Sequence, residues 1–131
     1  MSEIGPVRTI AGEPTIRTVP RMADANSSGD IFGGWVLSQM DIAGAIPAIA
    51  RAKGRVVTIA IDAMTFHTPI YVGDHVSVYA EVAKVGRTSL SIRIETIARR
   101  VGTSEEVRVT EGTFVYVAVD ENGRPRKVPA E

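Results

Sequence analysis

The chain of 131 residues carries 15 Lys and Arg against 15 Asp and Glu, two histidines and no cysteine, with 44% hydrophobic residues. That length suits one domain able to bury about two thirds of the surface its unfolded form exposes, without help from a disulfide or metal. The lack of cysteine excludes a disulfide scaffold, a cysteine-ligated zinc and a thiol nucleophile, and the balanced charge argues against a dedicated nucleic-acid binder.

In chain order, residues 1–14 mix Gly, Pro and charge and are expected to be loose, leaving 15–131 as a single domain. No long apolar run follows a basic start, which points away from a secretory signal and towards the cytoplasm. Thr15 to Val19 can form a short strand. Pro20 to Asp30 is turn-rich, because Asp24, Asn26, Ser27 and Ser28 compete for local backbone hydrogen bonds. A long helix is expected from about Gly34 to Lys53, stopped by Gly54 in a left-handed conformation.

Within that region the twenty residues from Ile31 to Ala50 include a single charge, Asp41. The central carboxylate, with Ser38, Gln39, Gly44 and Pro47 around it, argues against a membrane span. At about 100° per residue, Ser38, Gln39 and Asp41 point in different directions. The helix is therefore apolar nearly all round and is expected at the centre of the fold. Pro47 lacks the N–H that would bond the Ala43 carbonyl, so the helix is expected to kink or end near Ala43 to Ile46, or to stop at Pro47 with a separate turn behind it.

After Gly54 the hydrophobic period changes to two. Val57, Ile59, Ile61 and Ala63 share one face, as do Val76, Val78, Ala80 and Val82, then Leu90, Ile92 and Ile94. Val107, Val109, Val115, Val117 and Val119 are expected on one face of a long last strand. Short connections at His67 to Asp74, at Gly86 and Arg87, and near Gly102 to Glu105 make the sheet antiparallel. The result is an α+β fold, with an antiparallel sheet of five or more strands wrapped around the helix. One such sheet cannot cover a helix on every side, so a second copy, joined sheet edge to sheet edge, is expected.

Few residues offer chemistry. The chain has no serine elbow, phosphate-binding loop, dinucleotide fingerprint or metal-spaced His pair. His67 and His75 stand at the two ends of one loop without an evident carboxylate partner and read as solvated. Asp41 has Gly34, Leu37, Ser38, Gly44, Ala45 and Ala48 at helical spacing. A carboxylate there is partly desolvated, which suits a general base and equally a structural hydrogen-bonding group. Gly33 and Gly34 fall where first-turn amides have no intrahelical partner, open to an approaching oxygen, although a tight turn would also call for glycine. Taken together, one end of the helix can polarise a carbonyl and the other can direct water.

The run from Asp24 through Asn26, Gly29, Asp30, Gly33 and Gly34 to Trp35, continued by Ser38-Gln39-Met40-Asp41, closely resembles the hotdog-fold acyl-CoA thioesterases of the YciA type. So do Gly54-Arg55-Val56-Val57-Thr58, Val72-Gly73-Asp74, Gly86-Arg87-Thr88-Ser89 and the ending from Tyr116 to Asp120. The resemblance spans residues 16 to 129. It implies a hotdog fold and a cytoplasmic hydrolase that splits acyl-CoA into free fatty acid and CoA. CoA enters as part of the substrate, with no metal or other cofactor. The resemblance also implies a homodimer as the minimum unit, commonly three dimers in a homohexamer, with no nucleic acid and no membrane insertion.

It further implies that Asp41 is the catalytic carboxylate, either general base for water or nucleophile through a mixed anhydride. The partner subunit's Asn26 and the Gly33 and Gly34 amides would complete the site. Contacts to CoA are implied at Arg55, Val57, Thr58, Arg87, Thr88, Ser89, Arg99 and Arg100, with the acyl chain against Trp35, Met40 and Phe66. Two positions depart from the family pattern: Thr68, preceded by His67, stands where a basic residue is usual, and Pro47 replaces an ordinary helix former. Hotdog dehydratases rely on a helix His that this helix lacks, and a non-catalytic acyl-CoA binder would not need Asp41.

Overall fold

The computed structural model describes residues 7–131. A short strand β1 (Ile16–Thr18) and a single 3-10 turn (Met22–Asp24) lead into α1 (Gly33–Ala52). The strands β2 (Val56–Phe66), β3 (His75–Val85), β4 (Ser89–Arg99) and β5 (Glu106–Ala118) follow. All five strands form one antiparallel sheet in the order β1-β3-β4-β5-β2. The helix lies against one face, where Val36, Met40, Ala43, Gly44, Ala48 and Ala52 bury against Val76, Val78, Leu90, Ile92, Ile94, Phe114 and Tyr116. This is the expected hotdog arrangement.

The helix differs from expectation in two respects. It runs unbroken through Pro47 rather than ending there. Ala48 and Ala52, one and five residues onward, are both fully buried against the sheet, and that packing outweighs the lost hydrogen bond. Its left-handed terminal residue is Lys53 (φ 56°), not Gly54. Gly54 is instead where Arg126 passes: an added Cβ would lie 2.6 Å from Arg126 Nη2, which caps the Ala52 carbonyl at 2.9 Å. As expected of a single sheet, the helix is covered on one side only. Ile42, Ile46 and Ile49 remain about half exposed, as do Ile59 and Ile61 on the edge strand β2.

Strand phases in β3 and β4 agree with the alternation, since Val76, Val78, Leu90, Ile92 and Ile94 all face the helix side. In β5 they do not hold throughout. Thr96 pairs with Thr110 but Ile97 pairs with Arg108, so Val109 is an extra residue in β5. A bulge of this kind shifts the alternation by one residue. Val109 therefore shares the core with Phe114 and Tyr116, whereas Val115 and Val117 fall on the opposite face.

A second irregularity in β2, between Asp62 and Thr65, holds Ala63 at φ 52°. It turns Met64 onto Gly112, where a Cβ would meet Met64 Sδ at 2.7 Å. Because a left-handed alanine costs roughly 1–2 kcal/mol and glycine gives part of that back as entropy, Ala63→Gly is expected to gain about 0.5–1 kcal/mol. A higher urea midpoint at unchanged slope would show it.

Part of the segment expected to be loose is tied down. Buried Glu95, on the sheet face away from α1, accepts the Thr9 N–H at 2.8 Å and the Ile10 N–H at 3.0 Å, and also bonds the Thr9 hydroxyl and Arg93. Burial pushes the Glu95 carboxyl up, but these donors outweigh it and hold it below the usual range. Arg8 stacks over the Tyr79 ring at 4.3 Å. Residues 1–6 lie outside the described residues.

Candidate active site

Asp41 is held from two strands at once. Thr58 Oγ1 of β2 donates to Asp41 Oδ1 at 2.6 Å, and the Tyr116 hydroxyl of β5 reaches the same Oδ1 at 3.1 Å and the Asp41 carbonyl at 2.8 Å. Thr58 and Tyr116 are direct cross-strand partners, so the β2–β5 ladder sets both donors side by side. Asp41 Oδ2 makes no hydrogen bond within the described residues and is left to accept from water.

Gly44 makes this possible. A Cβ there would sit 2.7 Å from Ile94 Cδ1 and closer still to the Tyr116 hydroxyl. The bare backbone of that helical turn is the space into which the phenol reaches. Burial first, then the Asp41 carboxylate beside it, pushes the Tyr116 phenol well above its ordinary value. It therefore stays protonated and acts only as a donor to Asp41.

Tyr116 is the site residue with no role in the sequence reading above. With Val115 and Val117 placed on the core face, it fell on the outside; only the bulge at Val109 brings it in. We expect Tyr116→Phe to lower kcat about tenfold with KM nearly unchanged, because one of two donors fixing the carboxylate is lost while the substrate surfaces remain. Equal changes in kcat and KM would mark a different role.

At the start of α1, Phe32 is the cap and no side chain satisfies the first-turn donors. The Trp35 N–H bonds the Phe32 carbonyl at 3.0 Å, while no partner among the described residues accepts from the Gly33 or Gly34 amides. Gly34 is exposed, and a Cβ there would meet nothing within 4 Å, so no described side chain crowds this turn. Asn26 folds the preceding loop: its Oδ1 accepts from the Ser28 N–H at 2.8 Å and the Asp30 N–H at 3.1 Å. Its side-chain NH2 makes no hydrogen bond within the described residues. Asn26 and Gly33 line a cleft of ≈ 380 Å³, together with the polar Asp30, His67 and Thr68 and an apolar wall that includes Ile31, Val36, Phe66, Ile70 and Val109. Of the expected acyl-chain contacts, Phe66 lines this cleft, Met40 is fully buried in the core and Trp35 packs against it.

The implied CoA contacts divide into two sets. Arg55, Val57, Thr58, Arg87, Thr88 and Ser89 gather around the end of β5. There Ser89 and Val57 pair with Val117, the Ala118 N–H bonds the Thr88 carbonyl, and the Val119 N–H bonds the Arg55 carbonyl. Arg99 and Arg100 are at the far end of β4, which has 11 residues, so roughly 33 Å of strand separates them from Ser89. Arg100 pairs with buried Asp74 and stacks on Tyr71 at 4.4 Å. Tyr71 in turn bridges to Asp30 near the start of the helix. His67 is an exposed residue just past β2, as expected, but it does have a carboxylate partner, Glu111 at 3.0 Å. The His75 ring makes no hydrogen bond among the described residues.

Thus one chain offers two separate half-sites. One holds a fixed carboxylate, and the other holds open amides, a free side-chain amide and a cleft. A family model described as the thioesterase superfamily matches residues 28–104. The acyl-CoA thioester hydrolase YciA of Salmonella typhimurium is 48% identical over 126 residues, covering 94% of this chain and 95% of its own. Among solved structures, a hexameric thioesterase from Yersinia pestis superposes with a TM-score of 0.87 at 50% identity, covering 92% of this chain and 98% of the other. A hexameric hotdog fold thioesterase of Campylobacter jejuni gives 0.86 at 41% identity, covering 90% and 91%. With so much of the chain matched at such identity, and with the helix, sheet and lone carboxylate described above, this chain belongs to the thioesterase superfamily.

Proposed function

We propose that the chain hydrolyses acyl-CoA thioesters to free acid and CoA, in a site assembled from two subunits. The observation that carries the two-subunit reading is helical geometry. Gly34 and Asp41 are on the same helix, seven residues apart, which is about 10 Å of rise. A carbonyl oxygen held by an amide and a water held by a carboxylate must lie within about 3 Å of their partners and next to each other. The amides and the carboxylate of one chain therefore cannot serve the same thioester. Asp41 of one protomer, facing the amides and Asn26 of another, can.

The chemistry then follows. Asp41 Oδ2 takes a proton from water as the water oxygen attacks the thioester carbon. The carbonyl oxygen becomes negative and is stabilised by the Gly33 and Gly34 amides at the positive end of α1. Collapse breaks the carbon–sulfur bond and releases CoA thiolate, which takes up a proton. The partner subunit's Asn26 supplies a further donor to the carbonyl or the water. Arg55 and Arg87 are exposed cations on the Asp41 half of the site, suited to the CoA phosphates. The resident groups suffice for this reaction without a metal or other cofactor.

The open β2 edge and the half-exposed Ile42, Ile46 and Ile49 support a homodimer as the minimum unit, and the hexameric relatives support three dimers per particle. Among the described residues no helix is long and apolar enough to cross a membrane, and we place the enzyme in the cytoplasm. The test is release of free thiol from acyl-CoAs of graded chain length. Saturable turnover is expected, whereas tight binding without turnover would make the chain a binder.

A further inference from the structure

On the sheet face away from α1, strands β1, β3, β4 and β5 line a small, partly open cavity of ≈ 50 Å³ that no step of the proposed reaction uses. Its lining is Arg17, His75, Ser77, Ile97, Arg99 and Glu106. Three of these are basic and one is acidic. Arg99 is paired with Glu106 at 3.3 Å, whereas Arg17 and His75 meet no carboxylate among the described residues. The positive charge of the cavity is thus uncompensated.

Ser77 adds a second, independent observation. It is 8% exposed, and its Oγ accepts from Arg17 Nε at 3.0 Å. The O–H of Ser77 itself finds no acceptor among the described residues. A buried donor without an acceptor costs free energy unless a ligand or water supplies one. Because Arg17 Nε is committed to Ser77, that guanidinium is fixed while its remaining N–H groups stay available. The volume exceeds the share of one water, about 30 Å³, and Ile97 is the one apolar wall, so the cavity suits a compact oxyanion rather than an acyl or aryl group.

We propose that this cavity binds the phosphoryl group of a phosphate monoester. Arg17 and Arg99 supply charge-assisted hydrogen bonds, the Ser77 hydroxyl donates from the floor, and the His75 ring donates from the side. Free phosphate and the 3′-phosphate of CoA share this chemistry; the second source rests on the acyl-CoA reading above.

The experiment follows thermal unfolding of the full chain as inorganic phosphate is titrated at constant ionic strength. A bound ligand raises the midpoint with a saturable dependence, whereas general salt exclusion does not saturate. Saturation is expected for the wild type, with affinity weakened about tenfold or more by Arg17→Ala and several-fold by His75→Gln, which leaves the Arg17–Ser77 contact in place. A rise that never saturates, or that saturates identically in both variants, would overturn the proposal.

Comparing CoA with 3′-dephospho-CoA as competing ligands identifies the source. A preference for CoA that disappears in Arg17→Ala assigns the site to the 3′-phosphate, and a preference untouched by Arg17→Ala assigns it to free phosphate. Saturable phosphate binding by a chain that releases no thiol would refute the thioesterase reading while leaving this site standing.

Discussion

Asp41→Asn is expected to lower kcat for thiol release by about 10²–10⁴-fold, the usual contribution of a positioned general base, with KM changed only a few-fold. The substitution isolates basicity from shape. Asparagine has the same outline, and its side-chain oxygen can still accept from Thr58 and Tyr116, which hold the carboxylate oxygen at 2.6 Å and 3.1 Å. What disappears is the second oxygen, free of protein partners and able to take a proton from water. The cleft and the first-turn amides lie elsewhere on the chain and keep their binding surfaces, so substrate affinity survives. Undiminished turnover would leave Asp41 a structural group, which was one of the two readings open from its sequence neighbours.

A second large effect is expected from Gly44→Ala. In a solvent-exposed helix this change would gain up to about 1 kcal/mol from propensity. Here the added Cβ lands 2.7 Å from Ile94 Cδ1 and 3.1 Å from Tyr116 Cζ. Those side chains are 0% and 1% exposed, so neither can swing into solvent. Overpacking of this kind costs about 1–3 kcal/mol, so the net change is destabilising. The same displacement pulls the Tyr116 hydroxyl away from Asp41, and kcat should fall at least as far as in Tyr116→Phe, about tenfold or more. Urea unfolding and steady-state kinetics on one preparation check both effects. A stabilised variant with full activity would mean that Tyr116 does not depend on the bare turn at Gly44.

Much of the architecture was legible because local pattern and tertiary role coincide. In β3 and β4 the alternation is regular through Val76, Val78, Leu90, Ile92 and Ile94, and those residues are the core. A helix with one carboxylate in a nearly uncharged stretch singles out Asp41 by scarcity alone. The last strand was misread because a bulge is one extra residue set by pairing with β4, and nothing in the valine spacing announces it. That single shift hid Tyr116.

Other features depend on contacts between distant parts of the chain. Thr58 was reached through resemblance as a CoA contact, yet within the chain its hydroxyl is spent on Asp41, an outcome fixed by the β2–β5 register. Lys53 takes the left-handed helix end because Gly54 is needed for the approach of Arg126, some seventy residues onward. His67 gained a carboxylate partner in the same way, through Glu111 on the neighbouring strand. The division of the CoA-contact set is also a consequence of strand length, which carries Arg99 and Arg100 to the far end of β4, Arg100 beside Tyr71 near the start of the helix and Arg99 on the opposite sheet face, and leaves the others with Asp41.

The claim that carboxylate and amides act from different subunits is tested most directly by mixing two inactive variants. Asp41→Asn and Asn26→Ala are each prepared alone, then unfolded together in equal amounts and refolded. In a two-fold dimer with two shared sites, a mixed pair contains one site with both defects and one with neither. Random pairing makes half of the dimers mixed, so about one quarter of wild-type activity should return. Activity no higher than the mean of the two parents would contradict the account and place the whole reaction within a single chain.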